Sequence, residues 1–319
     1  MQNKAATSKM GMVPRMLIID GHSYAYRAFY AIRQLKSPSG RPTNAVYGFI
    51  RMFEKLQECV KPTHIAVVWD GGLDQERKSL VPEYKAQRPD MPVEMREQLD
   101  EIVSYLNAVE VVSLVKQDVE ADDCIAALTK RAEKEGLEVV IASSDKDFMQ
   151  LVNDKVRIVN LSGKSEDWFD KEQVELKSGV APSQIVDWLS LTGDAVDNIA
   201  GVPGVGPKTA AKLLRGFHSI DELLSRVNEI QPVRLKDSLQ NAAELVRRNQ
   251  KMIRLKAELD CDVPVEAMKK KARDGKKVKP LLEKWGFRSL LRELDEETMK
   301  TGDLFEEKDV ACVFVKKSA

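Results

Sequence analysis

The sequence is poor in the side chains that bind zinc or form disulfides. It has four cysteines and three histidines in 319 residues, and no Cys-x-x-Cys pair. These residues are Cys59, Cys124, Cys261, Cys312, His22, His64 and His218. The scattered cysteines argue against a structural zinc site and against a disulfide framework, and they fit a reducing cytoplasm. Three histidines are too few for an imidazole-rich zinc centre.

The chain also lacks net charge and long apolar runs. Its 50 Lys and Arg residues balance 50 Asp and Glu residues, so composition alone does not identify a nucleic-acid binder. No run approaches the roughly 18 apolar residues of a membrane span, and the first fifteen residues lack the apolar core of a secretory signal. We therefore expect a soluble, unexported, cytoplasmic protein whose basic surfaces are local.

What the sequence does contain is a series of short β-branched runs separated by stretches of helical periodicity. The runs are Met16 to Ile19, His64 to Trp69, Val109 to Val115, Glu138 to Ala142 and Val156 to Val159. This alternation predicts an α/β fold with a mostly parallel, twisted sheet flanked by helices. The first well-marked helix has apolar residues three and four apart from Val46 to Leu56, with Thr43 or Asn44 as its N-cap.

After about residue 180 the strand pattern stops. Helices are predicted over Ser183 to Leu191, Lys208 to Leu214, Ile220 to Val227 and Leu235 to Leu259. The expected organisation is a flexible segment at 1–15, an α/β core at 16–180, a helical region at 181–295 and a charged tail at 296–319. A helix-hairpin-helix is expected at about 185–215.

Carboxylates recur where the predicted strands end and helices begin. The nine acids concerned are Asp20, Asp70, Glu120, Asp122, Asp123, Asp145, Asp147, Asp194 and Asp197. The carboxyl ends of strands in an open α/β sheet share one edge, where ligands bind. So many acids in one cleft would need cations, and Mg²⁺ prefers oxygen ligands. Taken singly, each acid could equally be a helix cap or a turn residue.

A glycine-rich stretch runs from Gly201 to Thr209 as Gly-Val-Pro-Gly-Val-Gly-Pro-Lys-Thr. It is not a Walker loop, because Pro207 stands where that motif requires Lys. Pro at the start of a helix instead predicts a tight hairpin whose second helix offers free backbone N–H groups to a phosphate. Lys208 and Lys212 would add charge to that contact. The alternative is an ordinary helical hairpin.

The segment from Asp70 to Pro92 is ambiguous by charge. Its cations Arg77, Lys78, Lys85 and Arg88, with Tyr84, would suit a phosphate-gripping loop, but Asp74, Glu76, Glu83 and Asp90 cancel them. Charge alone favours a solvated loop. Position favours function, because the segment leaves the sheet at Asp70 and begins over the expected acidic cleft.

Together these stretches resemble the 5′-nuclease family, which includes flap endonucleases and the N-terminal exonuclease domain of bacterial DNA polymerase I. The resemblance spans about residues 16–295. The matching motifs are Leu17-Ile-Ile-Asp-Gly-His-Ser23, Val68-Trp-Asp70, Arg77, Pro82-Glu-Tyr-Lys85, Arg88-Pro89, Val119-Glu-Ala-Asp-Asp123, Asp145-Lys-Asp-Phe148, Gly193-Asp-Ala-Val-Asp-Asn198 and Gly201 to Thr209.

The resemblance implies a PIN-like 5′-nuclease core with two metal sites for Mg²⁺ or Mn²⁺. One site would be surrounded by Asp20, Asp70, Glu120 and Asp122, here called the first acid set, with Asp123 close by. The other would be formed by Asp145, Asp147, Asp194 and Asp197, the second acid set. Asp20 and Asp145, with Lys85 and Arg88, would be catalytic.

The resemblance also implies DNA contacts. Residues 71–92 would belong to a helical arch in which Lys85 and Arg88 engage the scissile phosphate, Tyr84 a nearby base, and Arg77 the DNA. The hairpin would hold downstream duplex and carry a K⁺ ion on backbone carbonyls. Its DNA-binding residues would be Gly204, Gly206, Lys208, Thr209 and Lys212.

The expected function is that of a stand-alone, monomeric, structure-specific 5′–3′ exonuclease and flap endonuclease. It would cut 5′ flaps and nicked or branched DNA by a two-metal mechanism, leaving 5′-phosphate and 3′-hydroxyl ends, and would cut RNA in RNA–DNA hybrids. It would work in replication and repair beside a polymerase and a ligase. Two alternatives stay open: a non-enzymatic DNA-junction binder, and a ribonuclease of the related small acidic-site fold, which ordinarily lacks the hairpin.

Overall fold

The fold is built on a six-stranded sheet. A computed structural model of the chain describes residues 13–162, 165–260 and 263–310. The strands lie in the order β3-β2-β1-β4-β5-β6. They are β1 (Arg15–Asp20), β2 (His64–Trp69), β3 (Val112–Val115), β4 (Glu138–Ala142), β5 (Val156–Ser162) and β6 (Ser165–Phe169). The predicted α/β fold is confirmed.

The middle of the sheet is parallel and fully buried. β1 pairs in parallel with β2 and with β4, so that Ile18 lies opposite both Ala66 and Ile141. β4 continues the parallel arrangement to β5. Helices cover both faces of such a sheet, which explains why its strands are continuous apolar runs rather than alternating ones. The carboxyl ends of β1, β2 and β4 therefore lie along one edge.

The outer strands differ from the prediction. β3 is short, because Glu110 takes a left-handed φ of 56° and places residues 109–111 in a turn. β5 extends to Ser162 and pairs with the antiparallel β6, which was not predicted. The sequence of β6, Ser-Glu-Asp-Trp-Phe, is mostly exposed and lacks an apolar face. Its pairing with β5 therefore has no signature in hydrophobicity.

Thirteen α-helices occur in the described residues, with short 3₁₀ turns between some of them. They are α1 (Gly21–Ala31), α2 (Asn44–Val60), α3 (Gln75–Leu80), α4 (Val93–Ala108), α5 (Ala121–Lys134), α6 (Lys171–Ser178), α7 (Ile185–Thr192), α8 (Pro207–Phe217), α9 (Ile220–Ser225), α10 (Val233–Asn241), α11 (Ala243–Ile253), α12 (Gly275–Trp285) and α13 (Arg288–Val310). The 3₁₀ turns are Lys146–Leu151, Pro182–Gln184, Val227–Glu229 and Val265–Met268. None of the helices in the described part of the chain is long and apolar enough to cross a membrane.

The start of α2 is capped from elsewhere in the chain. Thr43 occupies the cap position, since its carbonyl accepts the N–H of Tyr47, but its hydroxyl has no hydrogen-bond partner among the described residues. The N–H of Ala45 instead donates to Oε1 of Gln98 at 2.7 Å. Asn44 donates its amide to the carbonyl of Phe29, near the end of α1, at 2.8 Å. Neither predicted residue therefore caps α2 with its side chain.

The C-terminal half is helical as predicted, with two differences. The single helix expected over Leu235 to Leu259 is two helices, α10 and α11, which meet at Ala242. α13 continues to Val310, so residues 296–310, expected to form a tail, have helical backbone. Residues 1–12 of the expected flexible segment, residues 311–319 of the expected tail, Cys261 and Cys312 lie outside the described residues.

The compact units do not follow the linear division of the chain. One unit contains residues 13–23, 55–90 and 113–269, which include the sheet strands and α5 to α11. The other contains residues 24–54, 91–112 and 270 onward, including α4 and α12. All residues of both acid sets, and those of the predicted hairpin, belong to the first unit.

Candidate functional site

The first acid set lies at the carboxyl edge of the sheet. Asp20 is the last residue of β1, and Asp70 directly follows β2. Glu120 precedes α5, and Asp122 lies in its first turn. Asp20 lies close enough to Asp70 and Asp145 for both carboxylates to raise its pKa. The sheet topology thus brings these acids together.

Two of these acids also cap helices. Oδ1 of Asp20 accepts the N–H of Ser23 in the first turn of α1 at 3.1 Å. Oδ1 of Asp70 accepts the N–H of Ala121, the first residue of α5, at 2.9 Å. From the sequence alone, a local capping role and a role in the acid set are alternatives for each of these residues. In the structure each residue has a capping bond and also faces the other acids.

The carboxylates are held in an environment that disfavours their charge. Burial, with the charges of Asp70 and Asp145, raises the pKa of Asp20 to about 6, against the hydrogen bonds from Ser23 and Ser143. Burial and Asp145 likewise raise the pKa of Asp122 well above its ordinary value. Adjacent like charges that are poorly solvated require compensating cations to remain ionised.

The second acid set is a compact cluster. Carboxylate oxygens of Asp147, Asp194 and Asp197 all lie within 4.8 Å of one another. Oδ1 of Asp145 accepts the N–H of Asp147 at 2.9 Å. Asp145 thereby caps the 3₁₀ turn Lys146–Leu151, which contains Asp147. Burial, followed by the charge of Asp145, raises the pKa of Asp147 well above its ordinary value. The structure therefore brings together residues that follow β4 and residues that follow α7.

Three cations lie among these acids, in addition to Arg77, which is described below. Nζ of Lys85 is 3.1 Å from Glu120 and 3.9 Å from Asp122. Arg88 contacts Asp197 at 2.6 Å, and Lys146 contacts Asp194 at 2.5 Å. The sequence reasoning missed Lys146, although its position between Asp145 and Asp147 was a usable signal. Cations from the protein thus neutralise part of both acid sets.

Arg77 and Asp123 have a different role from the one predicted. Arg77 is 2% exposed and donates both terminal nitrogens to Asp123, at 2.7 and 2.8 Å. It also donates to Glu120 at 2.9 Å and to the carbonyl of Met252. Oδ1 of Asp123 receives a further N–H from Lys256. Arg77 is too deeply buried to contact DNA, and the Asp123 oxygens are already taken up by Arg77, so both predictions are corrected.

The predicted arch segment, residues 71–92, contains the six-residue α3 followed by turns. Tyr84 is buried, and its hydroxyl donates to Oε2 of Glu120 at 3.1 Å. Burial raises the pKa of this hydroxyl far above its ordinary value. In this conformation Tyr84 and Lys85 satisfy Glu120 instead of facing a base or a phosphate, while Arg88 is exposed beside Asp197.

The predicted hairpin is present. α7 is followed by a two-stranded ribbon, β7 (Gly193–Asp194) and β8 (Ile199–Ala200), then by a turn in which Gly204 takes a left-handed φ of 81°. α8 begins with Pro207, and its cap residue Gly206 contributes no side chain. Lys208 and Lys212 are exposed on α8. The first turn of α8 therefore offers uncovered N–H groups beside two cations.

The residues of the site fit divalent metal ions. Glu120 Oε1 and Asp147 Oδ1 are buried and have no hydrogen-bond partner among the described residues. A buried carboxylate oxygen without a donor is costly, and a hard cation would satisfy it. The surrounding donors are almost entirely carboxylates, which suits Mg²⁺ or Mn²⁺ better than zinc.

Comparison with known proteins matches most of the chain. The model of the 5′–3′ exonuclease N-terminal resolvase-like domain matches residues 15–179, and that of the 5′–3′ exonuclease C-terminal SAM fold matches residues 180–276. The chain is 36% identical to a 5′–3′ exonuclease of Aquifex aeolicus, over 88% of this chain and 95% of that protein. It is also 36% identical to DNA polymerase I of Bacillus subtilis, over 89% of this chain. That alignment covers only 32% of the polymerase, so the chain spans about a third of that relative.

The same fold occurs in a solved structure of the bacteriophage T5 flap endonuclease, described as a pseudo-enzyme–product complex with DNA and metal ions. The two share 22% sequence identity with a TM-score of 0.63, and the match covers 84% of this chain and 98% of the phage protein. At this identity the likeness concerns the fold.

Proposed function

Because the chain belongs to the 5′–3′ exonuclease family, we propose that it is a metal-dependent, structure-specific nuclease that cuts DNA at 5′ flaps and nicks. The observation that carries the proposal is the proximity of Asp147, Asp194 and Asp197, next to the buried Asp20 at the end of β1 and to Asp145, which follows β4. Such a cluster is costly without cations and is suited to phosphodiester hydrolysis when they are bound.

The first and second acid sets would each hold a divalent ion, Mg²⁺ or Mn²⁺. Bound ions of this kind lower the pKa of water and stabilise negative charge on the leaving oxygen. Asp20 and Asp145, at the ends of adjacent parallel strands, would fix the positions of the two sets relative to each other. Glu120 Oε1 and Asp147 Oδ1 are the buried oxygens best placed to gain a partner.

Lys85 and Arg88 would change partners when metal ions and DNA bind, from carboxylates of the acid sets to the phosphate of the DNA. Both now pair with carboxylates, at 3.1 Å to Glu120 and 2.6 Å to Asp197. When divalent charge satisfies these acids, the cations become available to the scissile phosphate, where they would offset the charge that develops during cleavage. The products would carry 5′-phosphate and 3′-hydroxyl ends, and RNA in RNA–DNA hybrids would be cut as well.

The hairpin would bind the phosphates of downstream duplex without reading sequence. Lys208, Lys212, the N–H of Thr209 and the backbone of Gly204 and Gly206 would make these contacts, with a K⁺ ion on neighbouring carbonyls. We further propose that the protein acts as a monomer beside a DNA polymerase and a ligase, in replication and repair.

The test is a cleavage assay on 5′-flap DNA, nicked duplex and an RNA–DNA hybrid, with Mg²⁺, Mn²⁺ or EDTA. We expect cleavage of flap DNA that needs the metal, and a loss of at least about 100-fold for Asp147→Asn, because a ligand is removed. Asp154→Asn is the matched control, since Asp154 is an exposed residue outside both acid sets. Normal cleavage by Asp147→Asn would reject the mechanism. Flap binding that survives EDTA, with no product in Mg²⁺, would identify a non-enzymatic junction binder instead.

A further inference from the structure

Ser143 is a buried hydroxyl between the two acid sets. It follows the last residue of β4 and is 1% exposed. Its N–H donates to the carbonyl of Val159 at 3.2 Å, which extends the pairing of β4 with β5 by one residue. The backbone of Ser143 is therefore fixed by the sheet, and its side chain has a defined direction.

The hydrogen bonds of this hydroxyl determine where its proton lies. Oγ of Ser143 accepts the N–H of Asp145 at 3.1 Å. Its own proton is directed to Oδ2 of Asp20, at 2.8 Å. A serine hydroxyl has one proton to donate, and the bond to Asp20 uses it, while the bond from Asp145 uses an oxygen lone pair. Since Ser23 holds Oδ1 of Asp20, both oxygens of that carboxylate are oriented by the protein.

We infer that Ser143 is a positioning residue that sets the spacing between the two acid sets. It connects the carboxylate of Asp20, at the end of β1, to the backbone that carries Asp145, beyond the end of β4. Mutation of a partner that orients a metal-binding ligand typically costs about 10- to 100-fold in metal affinity. The inference rests on the proposed function, because spacing matters only if both sets bind ions.

The neighbouring Ser144 provides a matched control. Its side chain is exposed, and its Oγ lies 3.3 Å from Oγ of Ser23, with no hydrogen bond to a carboxylate of either acid set recorded among the described residues. The two serines are adjacent in the same loop and chemically identical. Of these two serines, only Ser143 forms hydrogen bonds with Asp20 and Asp145, so only the Ser143 hydroxyl should influence the affinity for a metal ion.

The experiment measures Mn²⁺ binding to the full chain without DNA, by calorimetric titration and by electron paramagnetic resonance, whose spin–spin coupling reports two nearby ions. We expect Ser143→Ala to lower Mn²⁺ affinity by about 10- to 100-fold and to weaken the coupled signal. Ser143→Thr keeps a hydroxyl and should bind within about threefold of wild type, which is a small effect beside that range. Ser144→Ala should match wild type. Thermal unfolding in EDTA verifies that each variant is folded.

The outcomes separate this inference from the proposed function. If the wild type binds no Mn²⁺, the proposed function fails. If the wild type binds and Ser143→Ala binds equally well, with the same coupled signal, the inference is overturned. The inference is also overturned if folded Ser143→Thr binds Mn²⁺ as weakly as Ser143→Ala does. It is likewise overturned if Ser144→Ala loses as much Mn²⁺ affinity as Ser143→Ala. If Ser143→Ala does not fold, Ser143→Cys replaces it, since the thiol is of similar size but a weak donor.

Discussion

Asp20 is a buried residue that has several structural and electrostatic roles at once. It ends the central strand, caps α1 through Ser23 and faces Asp70 and Asp145. Burial and these neighbouring charges oppose its ionisation, while the hydrogen bonds from Ser23 and Ser143 favour it. The balance raises its pKa to about 6, close enough to neutrality for its charge to change over an accessible pH range.

This pKa predicts a pH-dependent cost to folding. Between the ordinary value of 3.8 and about 6, the folded protein keeps a proton on Asp20 that the unfolded chain has released. Asp20 therefore destabilises the metal-free protein increasingly as pH rises through that window, by about 3 kcal/mol in total. We expect the stability of Asp20→Asn relative to wild type to increase by about that amount from pH 4 to pH 7. Urea unfolding in EDTA measures this difference, and an equal difference at both pH values would contradict the argument.

Arg77 gives a prediction of a different kind. Its guanidinium is the partner of two buried carboxylates, so its removal would leave Asp123 without its guanidinium partner and Glu120 with Lys85 alone as a charged neighbour. We expect Arg77→Ala to lower the free energy of unfolding by about 3–5 kcal/mol. Lys78→Ala, on the exposed face of the same helix, should change it by no more than about 0.5 kcal/mol. Chemical unfolding compares the two, and an unchanged stability in Arg77→Ala with weaker DNA binding would restore the original assignment of Arg77 to DNA.

At the residue scale, acids could be located from the sequence but their partners could not. Strand ends placed Asp20, Asp70, Asp145 and Asp147 at one edge of the sheet, whereas only the resemblance to the 5′-nuclease family implied that Asp194 and Asp197 share a site with Asp147. In the sequence, Arg77 and Lys85 cannot be distinguished from exposed cations that bind phosphate. Whether such a cation faces solvent or a buried acid depends on packing across the fold, as with Arg77 and the carbonyl of Met252. Ser143 had no distinguishing signal, since Ser144 stands beside it.

Among the elements, the hairpin is the one whose local sequence determines its geometry most directly. Gly204 is needed for a left-handed φ of 81°, and Pro207 starts α8 because its missing N–H is not required there. The result is a helix N-terminus that leaves N–H groups uncovered, flanked by exposed lysines. Contacts of this kind to phosphate are independent of base sequence.

The hairpin predicts a change in salt dependence. If Lys208 and Lys212 each contact one phosphate, replacing both with Ala should reduce the slope of log affinity against log salt concentration by about 2. The affinity loss should be the same for flap substrates of different sequence. Fluorescence anisotropy across a salt series, in Ca²⁺ to limit cleavage, measures the slope. The control is Lys236→Ala with Lys251→Ala, which removes a half-buried lysine of α10 and an exposed lysine of α11, and a slope unchanged in the hairpin variant would exclude this contact.

The strands illustrate why some elements were predictable and others were not. β1, β2 and β4 are buried on both faces, so each is a largely continuous apolar run, and Asp20 ends β1 while Asp70 directly follows β2. β3 was predicted too long, because hydrophobicity does not register the left-handed Glu110 that interrupts it. β6 was missed because an exposed antiparallel edge strand is stabilised by pairing with β5, which is a tertiary property. The split of α10 from α11 at Ala242 likewise lacks a glycine or proline to mark it.

For the whole molecule, the balance of 50 basic and 50 acidic residues conceals strong local segregation. The acids gather at one sheet edge, and exposed lysines occur on α8. Binding of divalent ions would reduce the charge repulsion among these acids. Because ions that bind the folded state alone stabilise it, metal affinity and stability should be linked.

This linkage predicts metal-dependent thermal stability. At free Mg²⁺ about 100 times the dissociation constant, the folded state should gain about 2.7 kcal/mol. We expect the melting temperature to rise by several degrees in Mg²⁺ and the rise to be smaller in Asp147→Asn, which loses a ligand of the second acid set but keeps the first. Differential scanning calorimetry measures it, with NaCl of equal ionic strength as the control. The same melting temperature in Mg²⁺ and in NaCl would indicate that the acid sets bind no ion under these conditions.

The spread of the acid sets along the chain also affects how activity would appear during protein synthesis. The carboxylates run from Asp20, at the first strand, to Asp197, after α7, and the cluster of Asp147, Asp194 and Asp197 is complete only with the last of them. A nascent chain that has left the ribosome only as far as β5 carries the first acid set but only part of the second. Contacts of such high sequence separation also form late and slowly in folding. Translation would therefore release a nuclease that becomes competent to cut only after the hairpin that is proposed to hold its substrate has begun to emerge.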